Sequence, residues 1–434
     1  MSPDRRPAPR SVAPHAAAMA LMLAALLVAA GDRAGAQRNE GPIVLEHADS
    51  LVGMQIAGEE ARQLIGNVRF TQGSLVVTCS RAIQYLRSNK IYFDGLVQVR
   101  DDSVRMAGQR AVYFAATRTV EAFDRLLLEE GTTTLQSRYG TYSANDRRAY
   151  FRDNVIVADT STVLTAGEVR YDRDRQYLVA DSSVRIEDQH NGVVTLSDHF
   201  ENDKPNRYGK WTGNPRLFQA GGGGGAPAET LFVSGATIES FGDSLRRLVV
   251  TDSVRIFREG LSGTAGLAVF HLGRDSMALY RNPYLWYSEE GGVENQVSGD
   301  SVTMSMRGHA ADHVRVMGNA IAVSEADSVP GNRYDQLAGQ EIILYFDGNR
   351  LRTIDVIATA TSLYYLYEEG RPNGLNKSSG DEVTIRFRDG RVESIRLAEN
   401  VEGKYVPERM VKGKESEYNL PGFRWRTDRP ERPR

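Results

Sequence analysis

The chain of 434 residues holds a single cysteine, Cys79. One thiol cannot close an intramolecular disulfide, so nothing in the fold depends on a cross-link, and no cysteine follows the N-terminal leader to carry a lipid. Cys79 follows Val76-Val77-Thr78 and reads as a small core residue. Basic residues are not in excess: 53 Lys and Arg stand against 56 Asp and Glu, a net charge of −3. That balance excludes the basic face on which general nucleic-acid binding rests. Past residue 30 no stretch is apolar enough to cross a membrane as a helix, which takes roughly 20 residues. Catalytic signatures are missing as well. There is no G-x-S-x-G and no H-E-x-x-H, and Gly221–Gly225 is followed by Ala226-Pro227 rather than Lys-Ser/Thr, which excludes a P-loop. His309 and His313 flank Asp312 in a pattern of strand and loop, where they read as solvent-facing polar residues rather than metal ligands; His190 and His199 offer no more. Asp94, Asp153, Asp181 and Asp252 read as turn formers rather than as a hydrolytic carboxylate pair. No enzyme activity, cofactor or metal is expected.

What the chain does have is strand chemistry. Hydrophobic residues make up 41% and charged residues 25%, the balance of a folded, soluble protein, and 41 Gly with 19 Tyr bias it towards strands and turns. Residues 1–36 read as a cleavable export signal: Arg5, Arg6 and Arg10 precede the apolar run Ala16–Ala30, and Ala34-Gly35-Ala36 is a small-x-small site before Gln37. Removing them leaves 49 basic and 54 acidic residues, or −5.

A repeat dominates the remainder. Short apolar strands begin at Val68, Val97, Leu126, Val155 and Val184, each 29 residues after the last, and a second apolar residue follows two places on at Phe70, Val99, Leu128, Val157 and Ile186. Tyr113, Tyr142, Tyr171 and Phe200 keep the same beat. Fixed-period similarity marks units that bury an apolar face only by stacking on their neighbours. Two strands per repeat are expected, with Asn67, Asn154 and Ser183 forming tight turns into the anchor strands and the tyrosines at a sheet border.

After residue 205 the beat stretches. Anchor-like positions follow at Pro215, Val254, Pro283 and Ala320, preceded by Asn214, Ser253, Asn282 and Asn319, in steps of 31, 39, 29 and 37. The organisation expected is a regular repeat region at 37–205, a divergent continuation at 206–405 with a Gly-rich loop at 220–228, and an irregular basic tail at 406–434. About eleven rungs at ~4.8 Å would make a rod roughly 50 Å long, with open sheet edges at its ends as possible joints.

Gly66-Asn67-Val68-Arg69-Phe70, Ala82-x-x-Tyr85, Gly95-Leu96-Val97-Gln98-Val99 and Ala107–Tyr113 resemble the OstA-like repeat, shared by LptA-like periplasmic lipopolysaccharide-transport proteins and the LptD N-terminal domain. His47-Ala48-Asp49 is similar to that family's opening strand, and Leu420–Trp425 to the ending of its longer members. The resemblance implies an all-β, elongated open β-jelly roll of two facing twisted sheets. It further implies lipopolysaccharide acyl chains in the apolar interior, and partners (LptC-like, LptD-like or a second copy) joined through sheet edges in a periplasmic bridge between membranes. The ligand-facing residues it implies are the ten of the ladder: Val68, Phe70, Val97, Val99, Leu126, Leu128, Val155, Val157, Val184 and Ile186. On this reading Val97→Asp or Val155→Asp abolishes lipid crosslinking in a folded protein. Two other functions are open to the sequence. One is an exported β-solenoid that binds glycans, for which Tyr284, Trp286 and Tyr287 are the dense aromatic candidates; the other is a purely structural rod.

Overall fold

The structure, a computed structural model, describes residues 43–432 except 73–74, 102–103, 144, 221–229, 245, 289–292, 308–309, 327–331, 348–349 and 389–390. The expected signal, the Gly-rich loop and His309 lie outside the described residues. Two compact units are present, one of residues 43–268 with 429–432 and one of residues 269–428. Both are antiparallel ladders, and among the described residues the secondary structure is 28 strands, one short α-helix and one 3-10 turn. The expected all-β jelly-roll class is therefore what the chain adopts.

The repeat generates the first unit through bent strands. Lys90–Asp101, Thr119–Glu130, Arg148–Ala158 and Tyr177–Asp188 each run through two consecutive residues of positive φ: Gly95-Leu96, Asp124-Arg125, Asp153-Asn154 and Ser182-Ser183. The intervening strands pass the same corner with one residue fewer between paired positions, so each bent strand carries a bulge and the ladder register shifts there. The residues before the anchors are thus corners inside strands, not turns between them. A bulge bends both halves of a strand about one point, and the half before the corner then faces the half after it. Phe93, before its corner, meets Phe70, after its own, with ring centroids 5.7 Å apart and nearly perpendicular.

Asn214, Ser253, Asn282 and Asn319 also have positive φ, so the corners persist where the spacing is irregular. Where proline follows the corner the strand divides, into Tyr208–Thr212 and Arg216–Ala220 around Pro215, and into Ser276–Tyr280 and Tyr284–Ser288 around Pro283. Proline has no N–H to give the ladder.

Two details differ from expectation. Each repeat adds two strands to each sheet, so it advances the ladder by about 9.6 Å rather than ~4.8 Å. Tyr113, Tyr142 and Tyr171 each stand one residue before a strand's end, as expected, in one row with Val120, Ala149 and Leu178, but Phe200 has slipped into the neighbouring row opposite Ala180 and Trp211. The slip accompanies the change of step from 29 to 31 residues after Val184.

In the second unit the strand segments on one side of the corners align two apolar rows. One runs Met277, Met304, Val314, Leu344, Ile354, Ile385, Ile395, and the other Leu279, Val302, Val316, Ile342, Val356, Val383, Leu397. The C-terminal segment is built onto this unit. Helix Glu408–Val411 and the 3-10 turn Glu415–Tyr418 place Val411 and Leu420 in a core with Leu363, Tyr365, Leu375 and Val406. Arg333 clamps both pieces, at 2.6 Å from Glu408 and 3.2 Å from Glu415.

Candidate functional site

The ten ladder residues all fall on the inner face of one sheet of the first unit. Eight are buried, from Val68 and Val155 at 0% to Ile186 at 7% exposure, while Val99 and Leu128 are half-buried. They occupy only alternate strands. Between them lie Val77, Met106, Leu135 and Leu164 in one row and the small residues Gly108, Ser137 and Ala166 in the other. The opposite wall is a further row that mixes large and small residues: Phe93, Ala111, Ala122, Gly140, Phe151, Val169, Ala180, Phe200. The walls interlock closely. A Cβ on Gly140 would lie 2.5 Å from Leu126 of the other wall and 2.8 Å from its neighbour Phe151.

The ladder reading missed these residues although their signal was present. Leu64, Phe93, Ala122, Phe151 and Ala180 repeat at the same interval of 29, as do Ala82, Ala111, Gly140 and Val169. Because Ala and Gly at these places carry no hydrophobic peak, only pairing reveals that they complete a wall. Cys79 sits in the same core, 6% exposed, and its Sγ donates to the Arg81 carbonyl at 3.1 Å. Burial pushes its thiol up to about 11, which makes it an inert core group, as expected.

The second unit differs. Between its sheets lies a cavity of about 330 Å³. One wall is Leu344, Ile354, Ile385 and Ile395 with Leu351, Phe387 and Val392; the other is Val297, Ala322, Leu337 and Ser362 with Tyr287. Exposure along the first wall rises from 7% at Ile354 to 44% at Ile395, so the cavity opens towards the last strands. Tyr287 crosses to Phe346 of the opposite sheet, centroids 5.3 Å apart. The lining is mostly apolar but also includes Asn295, Ser324, Glu325, Asp335 and Gln336, the mixture of apolar surface and a few polar groups usual for a ligand pocket.

Polar clusters lie on outer faces. His199 is held between two carboxylates, Nδ1 at 2.6 Å from Asp181 and Nε2 at 2.9 Å from Glu201, and Arg170 also pairs with Asp181. The bond to Asp181, and then that to Glu201, raise the imidazole above its ordinary range. His313 lies beside Asp312 at 3.1 Å, and among the described residues no group of His, Cys, Asp and Glu has the arrangement of a metal site. Asp153 and Asp252 sit at left-handed corners, as their turn-forming chemistry allows, while Asp94 and Asp181 precede corners and pair with Arg81 and with Arg170 and His199.

The glycan-binding reading loses its aromatics. Tyr284 and Trp286 are 6% and 0% exposed because the chain's own C-terminal segment covers them. Tyr287 points the other way, into the cavity.

Residues 90–200 match the family model described as OstA-like protein. No curated protein matches the chain. Among solved structures it is similar to the crystal structure of LptH, described as the LptA homologous periplasmic component of the conserved lipopolysaccharide transport device from Pseudomonas aeruginosa. Identity is 19%, the similarity covers 34% of this chain and 82% of that one, and the TM-score is 0.19. The matched residues 90–200, which span the four bent-strand corners from Gly95-Leu96 to Ser182-Ser183, are similar to the OstA-like family.

Proposed function

We propose that this protein carries lipopolysaccharide through the periplasm as part of a bridge from inner to outer membrane, holding acyl chains between its facing sheets. The observation that carries the reading is the mostly apolar cavity of about 330 Å³ between the sheets of the second unit. Its volume is at the lower end of the roughly 300–1,000 Å³ usual for ligand sites. The OstA-like match over residues 90–200 supports the same reading. Burying an acyl chain of about a dozen carbons offers up to ~10 kcal/mol at ~0.8 kcal/mol per CH₂. Rows of near-equivalent rungs let such a chain trade one contact for the next, so tight burial need not trap it. No covalent step is required, and direction comes from an energy-using machine elsewhere. In the first unit the ladder residues fill the interior with their own side chains, and a lipid there must part the sheets.

Partners would join at the ends of the ladders. Ser50–Ile56 pairs only with Glu59–Gln72, and Arg391–Ala398 only with Arg371–Arg388, so among the described residues each leaves one edge unpaired. Such edges are templates for another chain, here an LptC-like or LptD-like protein or a second copy.

The test is site-specific photocrosslinking to lipopolysaccharide from Leu344, Ile354 and Ile395 on the cavity wall, with Thr353 and Arg386 on the opposite face of the same sheet as controls. Adducts are expected from the first group alone. Equal labelling of both faces, or none from the cavity, would sink the proposal.

A further inference from the structure

The wall of the cavity formed by Val297, Ala322 and Leu337 is a single sheet thick, and its outer face is covered by the C-terminal segment. Register puts Trp286, Gln296, Val323, Gln336 and Leu363 in one row on that outer face. The row recognises the segment's backbone. Gln296, 1% exposed, accepts from the Arg426 N–H at 3.0 Å and donates to the Arg426 carbonyl at 2.8 Å. Trp286 donates to that same carbonyl at 3.2 Å, and Tyr284 donates to the Arg424 carbonyl at 2.9 Å. Gln336, also 1% exposed, accepts from the Leu420 N–H at 2.8 Å and donates to Asn419 at 2.6 Å.

The segment is held unequally along its length. Its root, residues 408–420, has two ion pairs to Arg333 and two side chains in the core, Val411 at 0% and Leu420 at 2% exposure. Its tip, residues 423–428, contributes no fully buried apolar side chain, and beyond it residues 429–432 belong to the first unit, where buried Ser262 donates to the Pro430 carbonyl at 3.0 Å. The tip is held by the side-chain hydrogen bonds, by Phe423 and Trp425 against Tyr334 at 5.3 and 4.7 Å, and by the Arg426 guanidinium over Tyr284 and Trp286 at 4.8 and 5.0 Å. Pro421-Gly422 separates the two parts, with Gly422 at φ 85.

We propose that the C-terminal segment is a latch: the root is part of the fold, while the tip docks reversibly on Tyr284, Trp286 and Gln296 and stiffens the outer wall of the cavity, so that its release speeds entry of apolar ligands. The contacts that close the latch are ones that water replaces at low cost. Guanidinium on aromatic faces and hydrogen bonds to Gln296, Trp286 and Tyr284 have aqueous counterparts, unlike the burial of Val411 and Leu420. When the tip leaves, the strand Glu294–Ser298 keeps its ladder partners but loses the cover on one face. The inference concerns the wall of the proposed lipid site rather than the identity of its occupant.

Hydrogen exchange and dye entry test it on the full chain carrying Arg426→Ala, and on a second full-length variant carrying Trp425→Ala as well, which keeps the root and residues 429–432. Release of the guanidinium should raise exchange at Glu294–Ser298 and Leu337 by roughly 2- to 30-fold, the range of a cation–π contact. Ile342 and Val356 of the opposite sheet should be unchanged. The association rate of N-phenyl-1-naphthylamine should rise in step. Unchanged exchange and dye entry in both variants would overturn the latch. So would loss of protection at Ile342 and Val356 in the double variant, because the tip would then be part of the core. The exchange readout needs no lipid, so a failure of lipopolysaccharide crosslinking leaves the latch standing.

Discussion

Single residues set the corners. Gly66 has φ 77, and a Cβ there would lie 2.1 Å from a carboxylate oxygen of Asp49, whose N–H donates to the Gly66 carbonyl at 3.0 Å and whose side chain accepts from Asn67 at 3.0 Å. Gly318, Asn319 and Asp300 repeat the arrangement. Gly58 has nearly the same φ, 76, with nothing near its missing Cβ. Gly58→Ala should therefore cost the left-handed penalty alone, about 1–2 kcal/mol, and Gly66→Ala that amount plus the displacement of Asp49. Urea unfolding of the two variants checks this, and equal losses would remove the clamp from the account. His199 makes a second prediction. Its pKa is raised in the folded state by Asp181 and Glu201. Protonated His199 therefore contributes stability fully below the unfolded value of about 6.5, and that contribution is lost as pH rises through the higher folded value. From pH 6 to 8 or so the wild type should lose stability relative to His199→Asn. Parallel pH profiles for the two proteins would refute it.

At the scale of the element, the bent strand explains why one sequence feature serves two walls. Val155 and Phe151 belong to one strand and, across the Asp153-Asn154 corner, to opposite sheets. Burial alters the mutational test that the sequence suggested. Val97 and Val155 are 1% and 0% exposed, so aspartate at either would be an unpaired buried charge and would undermine folding before it reported on lipid. The informative loss of function is Ile395→Glu, at the open end of the cavity wall and 44% exposed. It should abolish lipopolysaccharide crosslinking from Ile354 with thermal stability within roughly 0.5 kcal/mol of wild type, as for other surface changes. Leu126→Ala, which empties the space between the two walls of the first unit, should instead cost about 2–5 kcal/mol. Retained crosslinking in Ile395→Glu would move the ligand elsewhere.

For the molecule as a whole, the question is what the ladders present at their ends. The edges Ser50–Ile56 and Arg391–Ala398 carry exposed apolar residues, among them Leu51 at 51%, Val52 at 45% and Val392 at 43%. Edge pairing uses backbone donors, so Val52→Pro or Arg396→Pro should weaken association at the edge it alters. Sedimentation over a concentration series, alone and with LptC-like or LptD-like partners, checks this. Association undiminished in both variants would exclude the edges as joints.

Much of this was legible in the chain before folding was considered. The interval of 29 residues placed the anchors, the residues before them and the alternation of one wall, because a local period of two and a repeated corner are written in consecutive residues. Even Pro215 and Pro283 kept their corner positions. The partner strands, the opposite wall of Ala, Gly and Phe, the cavity and the covering of Tyr284 and Trp286 depend on pairing and on contacts as distant in sequence as Tyr284 and Arg424. Periodicity tells which residues turn inward, but it carries no information on how far apart the two inward faces stand. That distance is set by the volumes of side chains from different strands, and only the tertiary structure showed it closed around Leu126 and open around Ile395.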